Sequence, residues 1–331
     1  MESIADPLAE LLINYNELNS SVVDELQQEP SPLEFMRYVS RNTPFVVRGA
    51  ASAWTATKTW NLAHLKDLLR DQTVNVAVTP VGNADAPTRN EKGELVFAKP
   101  WEEDQPFSDF VEYVAHQETD DSFPQGSEIR YAQTQNDNLR HEYISIFDQV
   151  QRDIPFARIA LQKEPDAINM WVGNSRSVTA LHKDNYENIY VQVQGQKHFV
   201  LLPPHCHPCV NEKLLRPGTY ARNERDGRLH LAMDGSESDE SDAVPFAIWD
   251  PDQPGKNATP YSKLVEPTRV TLQQGDMLYL PAMWYHKVSQ SCSEEGICVA
   301  VNYWYDMEFS GPLYPATSFV RSVSLQNNSG L

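Results

Sequence analysis

The sequence predicts a mainly β protein, a sandwich or barrel of short strands with helices and extra strands packed onto it. Three observations predict this. From about residue 129 onward, short runs rich in β-branched and aromatic residues recur, punctuated by Gly and Pro. Before that point, apolar residues repeat at helical spacing in several segments. No internal repeat and no linker divides the chain, and 331 residues that are 40% hydrophobic can bury a substantial core.

Leu8, Leu11, Leu12, Tyr15 and Leu18 predict an amphipathic helix within residues 6–28. SPLEFMRYVS opens a second with Ser31 as N-cap and Pro32 at the first helical position. PFVVRGA reads as a short buried strand, TKTWNLAHLKDLLRD as a helix, TVNVAVTPV as a strand and FSDFVEYVAHQ as a helix. Then IRYAQTQ, INMWVG, NIYVQVQG, KHFVLLPP, PFAIWD, RVTLQQ, DMLYLP and ICVAVNYWY read as strands. The expected organisation is a helical and strand region over 1–128 packed on a β domain over 129–310, with a C-terminal tail over 311–331.

The net charge of −19, from 46 acidic and 27 basic residues, argues against binding nucleic acid, whose phosphates demand clustered Lys and Arg. It suits a basic partner or substrate. No apolar stretch approaches the roughly 20 residues that span a bilayer, so no membrane role is expected. MESIADPLAELLINYNELNSS lacks the basic flank and apolar run of a signal peptide, and four cysteines do not make a disulfide framework. A soluble cytoplasmic or nuclear protein with reduced cysteines is the expectation, with the sequons at Asn19, Asn257 and Asn327 as chance matches. MDGSESDESDAVP (233–245) fails the ligand spacing of a calcium loop and reads as a solvated acidic loop.

TALHKDNYENIYVQVQGQKHF (179–199) places His182, Asp184 and Lys197 in a segment that otherwise reads as β-structure. Such groups are costly to bury unless paired or ligating a metal. Residues two apart share a face of a strand, so His182 and Asp184 face one way. Asn188, Tyr190 and Gln192 then form a polar face and Ile189, Val191 and Val193 an apolar one, which fits a cavity holding a polar ligand. A facial triad of two His and one carboxylate needs a second His from elsewhere. His286, in GDMLYLPAMWYHKVSQ, is the best candidate: His64 and His116 fall in predicted helices, and His141 and His230 beside polar loops. HCHPC at 205–209 offers a rival zinc cluster, but Cys292 and Cys298 do not supply a second ligand pair, and it reads as a turn.

In order and spacing, PFVVRGA, VTALHKDNYENIYVQVQGQKHFVLLPP, GDMLYLPAMWYHKV and ICVAVNYWYDM resemble the jumonji-C (JmjC) family of Fe(II)- and 2-oxoglutarate-dependent oxygenases. The resemblance implies a double-stranded β-helix core, jelly-roll and cupin-like, with the metal triad at one mouth. It implies that His182, Asp184 and His286 ligate iron, and that Lys197 holds the distal carboxylate of 2-oxoglutarate with help from Thr179 and Tyr131. Asn188 and Asn302 resemble amides that line the cosubstrate pocket. O2 is the further cosubstrate, and ascorbate a supporting reductant. The implied activity is (3S)-lysyl hydroxylation of GTP-binding proteins of the developmentally regulated class, by an enzyme that resembles relatives forming homodimers. Residue chemistry agrees, because a buried carboxylate needs a charge-assisted partner and hydrogen bonds.

Two rivals share the fold. An N-methyl-lysine demethylase uses the same iron chemistry, and a silent cupin-like binding module uses none; the complete triad with Lys197 argues against silence. No Ser-His-Asp, Cys-His or His-Glu-x-x-His arrangement suggests a protease. His198 neighbours Lys197, points to the opposite side and reads as a packed structural histidine. Trp284, Trp304 and Tyr305 read as core.

Overall fold

The computed structural model describes residues 6–235 and 242–329; the run 236–241 of the acidic segment lies outside the described residues. A six-stranded sheet runs in the order Asp24–Leu26, Phe45–Val47, Met277–Leu280, Tyr186–Gln194, Cys298–Asp306, Ala167–Gly173. A four-stranded antiparallel sheet runs in the order Thr268–Leu272, Gln196–Leu202, Tyr285–Ser291, Thr179–His182. From residue 167 the chain passes repeatedly between the two, which makes the expected double-stranded β-helix. Gly195, at φ +71°, turns the Tyr186–Gln194 strand into Gln196–Leu202; a Cβ there would meet the Ser291 carbonyl oxygen at 2.6 Å.

Strand alternation explains the layers. In Tyr186–Gln194, Ile189, Val191 and Val193 face the N-terminal helices and join Phe35, Trp60, Phe107 and Phe110 in one core. Tyr190 faces the other way, between the sheets, with Leu278, Leu280, Phe199, Leu201 and Val288. Fully burying each such side chain is worth about 1.5–3 kcal/mol, so the faces are strongly specified. The helix Pro32–Arg41 starts at the expected Ser31 cap, which forms a reciprocal capping box with Glu34.

Several boundaries differ from the sequence reading. The first helix is Pro7–Leu18 and does not reach residue 28; Asn19 Nδ2 caps the Tyr15 carbonyl at 2.9 Å, and Leu18 is left 83% exposed. TKTWNLAHLKDLLRD forms two helices, Thr55–Thr59 and Leu62–Leu68, because Asn61 caps the second by accepting from His64 N at 2.8 Å. Residues read as a tail contain the helix Leu313–Ser329. HCHPC lies in a short 3-10 turn, Pro204–Cys209; Cys206 and Cys209 are buried free thiols, and His207 Nε2 sits 3.2 Å from Glu212. A small sheet absent from the reading runs Leu229–Met233, Pro217–Arg222, Leu95–Lys99, Ala86–Arg89, and lies beside the mouth of the β-helix. No helix among the described residues is long and apolar enough to cross a membrane.

Candidate active site

His182 ends the Thr179–His182 strand and stands in register with His286 on Tyr285–Ser291, their ring centroids 4.1 Å apart. Because that strand stops at His182, the expected strand alternation does not carry Asp184. A turn places it instead: Met283 N donates to the Asp184 carbonyl at 2.7 Å, and Met307 N to that of Asn185 at 3.1 Å. Met283 is left-handed at φ +68°, a costly conformation for a side chain. The buried carboxylate of Glu187 braces this turn by accepting from Tyr279 Oη at 2.6 Å and Ala282 N at 3.2 Å.

The outcome is a compact donor set. Asp184 Oδ2 lies 3.6 Å from His182 Nε2 and 3.7 Å from His286 Nε2, and one ligand atom from each residue falls within 4.8 Å of the others. It is the one such group among the described residues. His182 Nδ1 lies 2.8 Å from the Ala180 carbonyl and His286 Nδ1 3.1 Å from that of Trp284. A carbonyl can only accept, so each Nδ1 carries a hydrogen and each Nε2 is the nitrogen aimed at the cluster.

Protons are unevenly shared there. Burial opposes an imidazolium at His182, but the Asp184 carboxylate outweighs it and raises that pKa above the usual histidine value. Burial also opposes the Asp184 anion, yet the two histidines, His182 foremost, hold it at about 2. Burial and the neighbouring His182 push His286 down to about 4. A cation bound among the three replaces the shared proton.

The cluster opens into a cavity of about 270 Å³ whose walls include all eight residues singled out from the sequence: Tyr131, Thr179, His182, Asp184, Asn188, Lys197, His286 and Asn302. Lys197 is 2% exposed and projects between the sheets with Phe199. Its Nζ donates to Tyr131 Oη at 2.9 Å, and among the described residues no carboxylate pairs with it. Burial opposes its charge, and its neighbours Tyr131, Tyr190 and Cys298, themselves kept neutral by burial, bring it dipoles and no anion. Asn302 Nδ2 donates to Asn188 Oδ1 at 3.2 Å and Trp171 Nε1 to Asn302 Oδ1 at 2.8 Å, a chain of amides along one wall. Gln192, expected on the same polar face, instead donates to the Gln194 and Val299 carbonyls.

Tyr131 arrives from a separate three-stranded sheet, on Ile129–Tyr131, and is joined to the core by the Ala132–Val172 bridge. Its ring leaves no room beside Gly173, where a Cβ would meet Tyr131 Cδ2 at 2.6 Å and Gln290 Nε2 at 3.0 Å. Gly173→Ala is therefore expected to displace the ring that holds Lys197, at about 1–3 kcal/mol of stability. It should also weaken 2-oxoglutarate several-fold. Thermal unfolding and a cosubstrate titration check both, and an unchanged affinity would show that the ring position does not matter.

Sequence reasoning missed Asp85, Gln133 and Trp171 on the cavity wall. Trp304, read as core, is buried but also lines the cavity, stacked on Tyr186 with centroids 4.8 Å apart and planes at 5°. His198 bonds Thr271 and Ser291 hydroxyls at 2.9 and 2.8 Å, as a structural histidine would.

The cupin-like domain family matches residues 30–311, and the chain belongs to it, in its JmjC branch of 2-oxoglutarate-type oxygenases. The chain is 36% identical over 288 residues to the human bifunctional peptidase and (3S)-lysyl hydroxylase JMJD7, covering 87% of this chain and 85% of that protein. It is 34% identical over 316 residues to the Arabidopsis thaliana lysine-specific demethylase JMJ32, covering 93% and 88%. Over 329 residues it is 30% identical to JmjC domain-containing protein E of Dictyostelium discoideum, covering 91% and 92%. The family implies Fe(II) and 2-oxoglutarate. Two imidazole nitrogens with one carboxylate suit the metal, and a buried ammonium without an anion suits the dicarboxylate.

Proposed function

We propose that this chain hydroxylates C3 of a lysine side chain in a protein substrate, using Fe(II), 2-oxoglutarate and O2. One observation carries the reading: the ammonium of Lys197, without an anionic partner among the described residues, lies in the same cavity as the His182–Asp184–His286 cluster. A buried cation costs several kcal/mol unless an anion joins it. A dicarboxylate that reaches the metal at one end and Lys197 at the other satisfies both features.

His182, Asp184 and His286 would hold the iron, and Lys197 with Tyr131 and Thr179 the far carboxylate. Bound together, iron and 2-oxoglutarate supply the oxidation: O2 gives one oxygen atom to a substrate C–H bond and one to succinate, with CO2 released. The protein positions and shields that chemistry. The two backbone carbonyls fix which imidazole nitrogens face the metal. Lys197 is buried, so its pairing with the far carboxylate would be stronger than in bulk water. The Trp171–Asn302–Asn188 chain holds its amides in fixed orientations.

Lysine as the target is supported by the names of the human and Arabidopsis relatives, one a lysyl hydroxylase and one a lysine-specific demethylase. The net charge of −19 suits a basic partner. Within this reading the partner is a GTP-binding protein of the developmentally regulated class, ascorbate keeps the iron reduced, and the enzyme works in the cytoplasm or nucleus.

The Arabidopsis relative favours a second reading, demethylation. The two differ in product. Hydroxylation at C3 leaves a stable alcohol, whereas oxidation of an N-methyl group gives a hemiaminal that collapses to formaldehyde and free amine. Fragments of GTP-binding proteins and methylated histone peptides, each incubated with iron, ascorbate and 2-oxoglutarate, are the substrates to compare by mass spectrometry. Unmethylated lysine is expected to gain one oxygen atom with no formaldehyde. Formaldehyde from the methylated peptides, with no oxygen added to the others, overturns the hydroxylase in favour of the demethylase.

A further inference from the structure

We infer that Asp85 is the receptor for the substrate's cationic head, the primary ammonium of an unmodified lysine side chain; this rests on the lysine-hydroxylase reading above. The cavity wall carries charge of both signs. Lys197 supplies the positive charge. Apart from Asp184 in the metal cluster, Asp85 is the sole acid on the cavity wall among the described residues.

Its carboxylate is in no ion pair among the described residues, although His182 of the metal cluster acts on it from longer range. Gln133 Nε2 donates to Asp85 Oδ2 at 3.0 Å. Among the described residues, no Lys, Arg or His forms an ion pair with it. Lys99 acts on it only from longer range and is paired with Asp234 at 2.6 Å. Burial raises the Asp85 carboxyl above its ordinary value, against the Gln133 hydrogen bond, so an incoming cation would relieve a real desolvation cost.

The backbone holds the group in place. Asp85 sits just before the Ala86–Arg89 strand at φ +52°, in the left-handed region. Asp tolerates that conformation better than most residues, but it still costs on the order of 1 kcal/mol or more. Such strain persists where surrounding structure enforces it. Phe97 and Phe246, ring centroids 5.1 Å apart, share the wall and offer an apolar surface to a methylene stem.

Chemistry then selects the ligand. A primary ammonium brings three N–H donors to a carboxylate, whereas a trimethylated amine brings none and an acetylated one brings no charge. The geometry therefore favours unmodified lysine over a fully methylated or acylated form.

The test uses the full-length protein loaded with Mn(II) and a 2-oxoglutarate analogue. The probe is a peptide library whose central residue is Lys, Arg, norleucine or Nε-acetyl-lysine, with flanks free of Lys and Arg. Peptides retained by the protein are quantified by mass spectrometry. Wild type is expected to retain Lys over norleucine and acetyl-lysine by roughly ten- to a hundredfold, the range of a hydrogen bond to a charged group. Asp85→Asn keeps the side-chain shape, tolerates positive φ and removes the charge; it should lose most of that preference. Thermal unfolding and affinity for the analogue show whether the variant is folded, and Asp85→Gly, also suited to positive φ, is read if it is not.

A wild type without preference for Lys, or a folded variant that keeps it, overturns the assignment. The activity assay with Fe(II), 2-oxoglutarate and O2 separates it from the reading beneath it. If wild type and the Asp85 variant oxidise lysine with equal kcat/KM, Asp85 is not the receptor, though the hydroxylase stands. If lysine capture depends on Asp85 but no lysine gains oxygen, the receptor stands and the hydroxylase falls.

Discussion

Lys197→Met is expected to make the protein more stable on its own and far worse at holding 2-oxoglutarate. The ammonium is 2% exposed and, among the described residues, finds a tyrosine hydroxyl but no anion. Exchanging buried charge for an apolar side chain of similar volume often stabilises, by about 1–4 kcal/mol. When the dicarboxylate is bound, the same substitution strands a carboxylate without its partner, which costs about 3–5 kcal/mol. That corresponds to an affinity lower by roughly a hundredfold or more. Thermal unfolding without ligand reads the first effect, and calorimetric titration of 2-oxoglutarate into Mn(II)-loaded protein the second. A variant that keeps wild-type affinity places the cosubstrate elsewhere in the cavity, whatever its stability.

Asp184→Ala is expected to abolish 2-oxoglutarate turnover while leaving the fold intact. The backbone carbonyl, not the side chain, anchors the turn through Met283 N, so its hydrogen bond survives the substitution. The carboxylate supplies the one anionic ligand between two imidazoles, and no other acid joins this cluster among the described residues. Losing a partner that merely orients a metal ligand typically costs 10–100-fold in affinity, so losing a ligand should cost at least about that. Burial at His182 is then unopposed by Asp184, and its pKa should fall. Competition with a chromophoric chelator measures the metal, circular dichroism the fold and succinate release the turnover. Succinate at the wild-type rate would exclude Asp184 from the metal site.

The parts of the site legible in the sequence were those whose chemistry clashes with their surroundings. His182 and Lys197 stand out because charged or ligating groups are costly among Ile189, Val191 and Phe199. Strand period also separates Asn188 and Tyr190 from the apolar face that packs on the helices. Asp184 was found for a partly mistaken reason: the strand ends at His182, and a turn with a left-handed Met283 delivers the carboxylate.

Other features leave no such trace. Asp85, Gln133 and Trp171 reach the cavity from separate segments, and a single acid before a short strand has no periodic signal. The one local hint is that Asp tolerates positive φ, which makes residues 82–85 (GNAD) a turn but says nothing of a pocket. Gly173 matters through the Tyr131 ring, a contact across 42 residues (173 − 131). The strands Leu95–Lys99 and Trp101–Pro106 have no counterpart in the sequence reading: LVFAK is a short run beside a turn and WEEDQP is largely polar, and both are held as strands by pairing with distant segments. Leu313–Ser329 holds a proline and several serines, weak helix formers; the contact of Thr317 with Met283 shows the tertiary packing that supports it.

A single measurement bears most directly on the claim that the metal cluster and Lys197 form one composite site. It is an anomalous-scattering crystal structure of the protein with Mn(II) and a 2-oxoglutarate analogue. One anomalous peak is expected, bounded by His182 Nε2, His286 Nε2 and the Asp184 carboxylate, with the analogue's far carboxylate on Lys197 Nζ and Tyr131 Oη. A metal bound away from those three residues, or an analogue carboxylate turned away from Lys197, would contradict the claim.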